Sequence, residues 1–198
     1  MKYLALGDSY TIGESVDYSE NFPSQTAQLL NQEGLTEFKL CKLIAVTGWT
    51  TDELAKAIAS EKPSHDFDWV TLLIGVNNQY RNRSAEEYSW QLYSLMCQSI
   101  LFAKGNPKQV IVLSIPDWGL TPFNKDRDKT ETSAQIDAYN AINMSISQEM
   151  GCHYIDITTS TRLHAEDTDY LANDLLHYSP KEYAIWANKV AEIIKQYS

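Results

Sequence analysis

Long apolar runs are missing from this chain of 198 residues. Nothing in it approaches the ~18 consecutive apolar residues that a membrane-spanning helix needs. The amino-terminal Met1-Lys2-Tyr3-Leu4-Ala5-Leu6 turns polar at Gly7-Asp8-Ser9, too early for a secretory leader with its core of roughly 7–15 apolar residues. Positive charge is scarce too. The 16 Lys and Arg face 26 Asp and Glu, a formal net charge of −10, and such a balance opposes both a nucleic-acid backbone and an anionic membrane. Cysteine is sparse: Cys41, Cys97 and Cys152 are odd in number, widely spaced and set among apolar residues. They read as reduced core residues, and a cytoplasmic chain is expected. The eight glycines, at 7, 13, 34, 48, 75, 105, 119 and 151, never stand one residue apart and never precede Lys-Ser or Lys-Thr. That excludes the dinucleotide turn G-x-G-x-x-G and the P-loop. Asp126-Arg127-Asp128 alternates acids as a calcium loop does but lacks the central glycine and closing glutamate, so it reads as a solvated loop.

What the chain does have is alternation. Apolar, β-branched runs at Tyr3–Leu6, Phe38–Ala45, Trp69–Ile74, Val110–Ile115 and Tyr154–Ile157 are separated by longer segments with helical period and punctuation. Pro23 opens one such segment and Gly34 closes it. Thr50–Glu53 and Ser84–Glu87 are capping-box patterns, the second ahead of a helix ended by Gly105. Glu131–Met150 reads as another helix, stopped by Gly151, and Ser179-Pro180-Lys181-Glu182 starts a last one that runs to near Tyr197. Strand and helix repeated about five times predict a parallel sheet covered by helices on both faces, in one domain over 1–198 with 43% hydrophobic residues to fill its core.

In such a sheet, chemistry belongs to the loops beyond the carboxyl ends of the strands. Three of these loops are polar and contain glycine: Gly7-Asp8-Ser9-Tyr10, Thr47-Gly48-Trp49-Thr50 and Gly75-Val76-Asn77-Asn78. Ser9 follows the first strand at a sharp turn but is not in a G-x-S-x-G elbow, since Thr11 stands two residues on. A serine hydroxyl needs a base, and the base needs an orienting group. Asp174-Leu175-Leu176-His177 offers both, on one turn just before the last helix. Gly48 has a backbone N–H unobstructed by a Cβ, and Asn77 has a side-chain amide; both can donate to an oxyanion. The four histidines, His65, His153, His164 and His177, hold no helical metal-ligand spacing. Still, His164, Asp167, Asp169, Asp174 and His177 crowd together enough to hold an adventitious divalent ion.

Gly7-Asp8-Ser9, Gly48, Gly75-x-Asn77 and Asp174-x-x-His177, taken in that order, resemble the four blocks of the SGNH hydrolases, also called GDSL-type esterases and lipases. The resemblance covers essentially the whole chain. It implies a flavodoxin-like α/β/α fold of three layers with about five parallel strands. It also implies a Ser9 nucleophile, a His177 base oriented by Asp174, and an oxyanion hole of Ser9, Gly48 and Asn77. Two positions depart from the pattern. Tyr10 replaces the leucine of the family name, and Asn78 replaces a frequent aspartate, which puts the loop-bracing hydrogen bonds of that carboxylate in question.

The expected activity is hydrolysis of carboxylic esters, of short-chain acyl or acetyl groups, through an acyl-enzyme and without cofactor or metal. A small-molecule ester is the expected partner. Lysophospholipids and thioesters fit the same machinery. Tyr10, Trp49, Tyr80, Trp118 and Phe123 are candidates to line a substrate pocket, and the polar stretch Asp117–Thr132 is long enough to cover one. Two other readings stay open: a non-catalytic module whose Ser9 turn holds an anion, and a metal-dependent hydrolase built on His164 and its neighbouring acids.

Overall fold

The computed structural model describes residues 1–34 and 37–197. Five strands, β1 (Lys2–Gly7), β2 (Lys39–Ala45), β3 (Trp69–Leu73), β4 (Val110–Leu113) and β5 (His153–Ile155), form one sheet in the order β2-β1-β3-β4-β5. Every neighbouring pair is parallel. All five residues of β3 and all four of β4 are buried, which is why these strands read as unbroken apolar runs: helices cover both of their faces.

Helices α1 (Ser9–Ile12), α2 (Phe22–Gln32), α3 (Thr51–Glu61), α4 (Val76–Tyr80), α5 (Ala85–Phe102), α6 (Lys129–Glu149), α7 (Thr158–Leu163) and α8 (Pro180–Tyr197) fill the connections. On one face α2 packs against α8; on the other, α5 packs against α3 and α6. The predicted starts hold where caps are made. Glu53 accepts from the Thr50 N–H, Ser84 caps α5 at Glu87, and Asp128 caps α6 at Glu131, two residues earlier than the sequence pattern predicts.

Three expectations need correction. Helix α8 starts at Pro180 directly after Ser179 as expected, the Ser179 carbonyl accepting from the Tyr183 N–H at 3.2 Å, but the Ser179 hydroxyl donates to the Asp169 carbonyl and Glu182 turns into the core, fully buried. The short helices α1, α4 and α7 went unpredicted because one or two turns show no apolar period. Cys41 is exposed and Cys97 half-buried, leaving only Cys152 in the core, because β2 is an edge strand whose first residues alternate outward.

The strand order reverses between β1 and β3, and ligands of doubly wound sheets bind at such a crevice. The loops after these two strands carry Ser9 and Asn77.

Candidate active site

The nucleophile candidate sits where two backbones nearly touch. A Cβ at Gly7 would lie 2.4 Å from the Leu73 carbonyl and 2.1 Å from Thr11 Oγ1. Only glycine lets β1 turn beside β3 there. Asp8 then caps α1, its Oδ1 accepting from the Tyr10 N–H at 3.1 Å. This leaves Ser9 as the first residue of α1, 3% exposed, with an N–H that has no preceding helical carbonyl to bond. The other carboxylate oxygen of Asp8 is buried without a partner. Burial pushes its carboxyl up to about 7, against the Tyr10 N–H bond that favours the ionised form.

The acid–base candidates lie on an irregular segment clipped by a small hairpin. Leu171 and Tyr178 pair as an isolated antiparallel bridge, and the Ala172 N–H donates to the His177 carbonyl. The tip is tight: Leu175 takes φ +59°, a left-handed conformation that bulky residues rarely adopt. Asp174 Oδ1 accepts from the backbone N–H of Leu176 and of His177 at 3.0 and 2.9 Å. Its Oδ2 meets His177 Nδ1 at 2.7 Å and the Ser15 hydroxyl at 2.9 Å. Burial raises the Asp174 carboxyl, but the His177 ring bond and the two amides outweigh it and hold the group at about 2. Asp174 is therefore a carboxylate at neutral pH, and it favours the His177 tautomer with the proton on Nδ1, leaving Nε2 free to accept.

Ser9, Asn77 and His177 line one cavity of about 180 Å³, with Tyr10, Val76, Tyr80, Trp118, Phe123 and Leu176. No hydrogen bond joins Ser9 to His177 among the described residues; such bonds commonly tighten only when substrate binds. Tyr10 is 2% exposed and packs its ring 5.0 Å from that of His177, so it supports the base as well as lining the cavity. Asn77 Nδ2 gives one hydrogen to the Trp49 carbonyl at 3.0 Å, leaving a second. Gly48, at φ +85°, has its carbonyl held by Arg81 at 2.7 Å.

Gly48 and Trp49 stand outside the cavity lining. Trp49, half-buried, packs partly against the core, and its carbonyl takes the Asn77 amide hydrogen. The stretch Asp117–Thr132 walls the cavity through Trp118 and Phe123. Phe123 N–H is clipped to the Leu175 carbonyl at 3.2 Å.

The question over Asn78 has an answer in its amide. Its Oδ1 accepts from the Thr51 N–H at 3.0 Å and its Nδ2 donates to the Thr51 hydroxyl at 2.7 Å, which tethers α4 to the start of α3. Ser15, Gln79 and Arg127 were missed by sequence reasoning. Gln79 accepts from the Trp118 indole at 2.8 Å and so sets the cavity wall. Their contacts span dozens of residues, up to 159 for Ser15 with Asp174, and leave no local signal. The crowd of acids and histidines divides: His177 bonds Asp174, His164 bonds Glu182, and no three His, Cys, Asp or Glu converge on a metal-sized site among the described residues.

A sequence model of the GDSL-like Lipase/Acylhydrolase family matches residues 5–185, and the chain belongs to that family of hydrolases. The fold recurs in solved structures of low identity. A lipase/acylhydrolase from Enterococcus faecalis superposes with a TM-score of 0.73 at 20% identity, covering 98% of this chain and 95% of its own. A variant of an acetyl xylan esterase from Geobacillus stearothermophilus gives 0.72 at 20%, covering 98% and 94%. A psychrotrophic esterase from Pseudoalteromonas sp. gives 0.71 at 16%, covering 99% and 97%. No curated protein sequence matches the chain. Among the described residues, no helix is long and apolar enough to cross a membrane.

Proposed function

We propose that the chain, acting as one catalytic unit, hydrolyses carboxylic esters of short acyl groups through an acyl-enzyme on Ser9. The observation that carries this reading is a single cavity lined by Ser9, Asn77 and His177, with His177 held by an ionised Asp174 at 2.7 Å. Ser9 Oγ attacks the acyl carbonyl while His177 Nε2 takes its proton. The oxyanion is held by the Ser9 N–H and the Asn77 amide, which line the cavity, with the Gly48 N–H as the third donor that the family resemblance implies although Gly48 stands outside the lining, a stabilisation worth ~2.7–4 kcal/mol per donor in comparable sites. The tetrahedral adduct collapses, the leaving oxygen takes the proton back from His177, and the alcohol departs. Water, activated by the same histidine, then frees the acid and restores Ser9.

The small, mostly apolar cavity favours a short acyl group over a long chain. The structural likeness to an acetyl xylan esterase points the same way. Three unpaired cysteines support a reducing, cytoplasmic setting. The test is labelling with a 4-nitrophenyl phosphonate. Stoichiometric modification of Ser9, abolished in His177→Ala, is expected; no labelling at any concentration sinks the mechanism and leaves the anion-holding module.

A further inference from the structure

Ser9 and the Asp174–His177 pair come from opposite ends of the chain, and a hydrogen bond ties the segments that carry them. The turn that bears Ser9 is well anchored. The Ser9 carbonyl accepts from the N–H groups of Gly13 and Glu14 at 3.1 and 3.0 Å. The fully buried Asn21 gives its Nδ2 to the Ile12 carbonyl at 3.1 Å and takes the Ser24 N–H on Oδ1 at 2.8 Å, which seats the end of α1 against the start of α2. Ser15 follows this turn directly. Its hydroxyl donates to Asp174 Oδ2 at 2.9 Å, on the oxygen that also meets His177 Nδ1. The two amides on Asp174 Oδ1 belong to Leu176 and His177, within the acid's own turn. Among the described residues, Ser15 is therefore the hydrogen-bond donor that reaches Asp174 from outside that turn.

The backbone at Ser15 shows what keeping this bond costs. Its φ is +68°, in the left-handed region where glycine and asparagine sit far more readily than serine. Burial does not call for a serine there, since the residue is exposed; what the strained serine supplies is its hydroxyl on Asp174. The geometry of proton transfer gives the bond its use. The amides on Oδ1 fix the carboxylate relative to its own hairpin, but not relative to Ser9. The Tyr10 ring packs on His177, an apolar contact that permits sliding. The Ser15 bond is directional and starts six residues after Ser9, so it sets the distance between the two halves of the site. That distance matters because the base must come within about 2.6–3.2 Å of the serine hydroxyl, and a misplacement of about 1 Å can cost 10²-fold in rate.

We propose that Ser15 is a positioning residue for ester hydrolysis: its hydroxyl locks the hairpin of Asp174 and His177 to the turn that carries Ser9, and so holds His177 within reach of the Ser9 hydroxyl. The assignment rests on the ester-hydrolase reading above. Ser15 touches neither substrate nor reacting atoms and acts through Asp174. Because Ser15 is exposed, water competes for the bond, and its loss costs far less rate than loss of His177 itself.

The test separates the hydroxyl from the backbone at Ser15, with 4-nitrophenyl acetate as substrate and a 4-nitrophenyl phosphonate as the probe of Ser9. Ser15→Gly removes the donor and relieves the strained backbone. It should lower kcat about tenfold and slow phosphonate labelling by a similar factor, the loss expected for a hydrogen bond to a charged group. KM should change little, since acylation and deacylation both use His177, and Tm should not fall below that of the wild type. Ser15→Asn tolerates the same φ and offers an amide N–H to Asp174, so it should bring kcat back to within about threefold of the wild type. Ser15→Ala, which loses the donor and keeps the strain, should lose both rate and Tm. A merely structural serine predicts the opposite split, a lower Tm in Ser15→Gly with kcat and labelling rate unchanged. A Ser15→Gly kcat within about twofold of the wild type, a loss confined to KM, or a loss that asparagine does not restore each overturns the assignment. In those cases, Ser9 labelling that His177→Ala abolishes leaves the hydrolase reading standing alone. No labelling of the wild type removes both.

Discussion

Two histidines in the carboxyl-terminal quarter of the chain each meet a carboxylate at 2.7 Å through Nδ1, yet they occupy opposite situations. His177 and Asp174 sit at the tip of a hairpin; the Asp174 side chain is 34% exposed, and the histidine lines the cavity that holds Ser9. His164 meets Glu182, whose side chain is fully buried and also accepts from the Trp186 indole at 2.8 Å. The His164 ring lies flat on Tyr170, 3.7 Å between centroids and 7° between planes, with Lys181 over the same tyrosine. A histidine–carboxylate distance thus identifies no catalyst. What separates the pairs is the surroundings of the ring: His177 lines a cavity shared with a serine hydroxyl, whereas His164 is stacked face to face on Tyr170.

The comparison breaks most sharply through rate. His177→Ala is expected to lower kcat for 4-nitrophenyl acetate by about 10⁴-fold or more, with little change in Tm. Asp174→Asn should cost about 10³–10⁴-fold, because the amide no longer selects the tautomer that leaves Nε2 free, and steady-state kinetics will show it in kcat. His164→Ala should do the reverse. It leaves the buried Glu182 side chain with one partner fewer, so urea denaturation should report a loss of about 3 kcal/mol, while kcat of the folded protein stays within about twofold because His164 and Glu182 make no hydrogen bond to Ser9, Asp174 or His177.

Asp8 sharpens the contrast, as a buried acid with no histidine at all. Its carboxyl is raised to about 7 from an ordinary 3.8, so the folded state holds a proton that the unfolded chain gives up between those values. Stability from this group is full below pH 4 and falls as pH rises toward 7. Asp8→Asn, which keeps the acceptor for Tyr10, should gain about 2–3 kcal/mol on wild type between pH 5 and pH 8, measured by denaturation at both. The smallest effect is reserved for Tyr170→Leu, which removes the stack on His164: a loss of about 1 kcal/mol without change in kcat.

The contrast also marks how far sequence reasoning reaches. The parallel sheet followed from five apolar runs and their capped helices, because burial on both faces forbids any other pattern in β3 and β4. Ser9, Asn77 and His177 converge on one cavity because each follows a strand or precedes a helix at the same sheet edge. Residue type alone did not tell which aromatics face that cavity. Trp118 and Trp49 are both loop tryptophans, but only Trp118 is turned inward, by a hydrogen bond to Gln79. Nor did spacing separate Asp174 from Glu182, since their difference lies in burial. The role of Ser15 depends on a contact across 159 positions and has no local trace.

The hairpin between Leu171 and Tyr178 carries a last consequence. It belongs to no sheet; its ends, Leu171 and Tyr178, are anchored in the core, while its tip is held by the His177 ring and the Ser15 hydroxyl on Asp174 and by the Phe123 N–H on the Leu175 carbonyl. Its strained tip at Leu175 stores free energy that release would recover. Local opening of that tip breaks these bonds while the buried ends stay packed, so Asp174 can leave His177 in an otherwise intact globule. Catalysis should accordingly fade at a lower urea concentration than the far-ultraviolet dichroism does, and amides 172–178 should exchange their hydrogens ahead of those in β1 and β3. In this molecule, function is less cooperative than the fold.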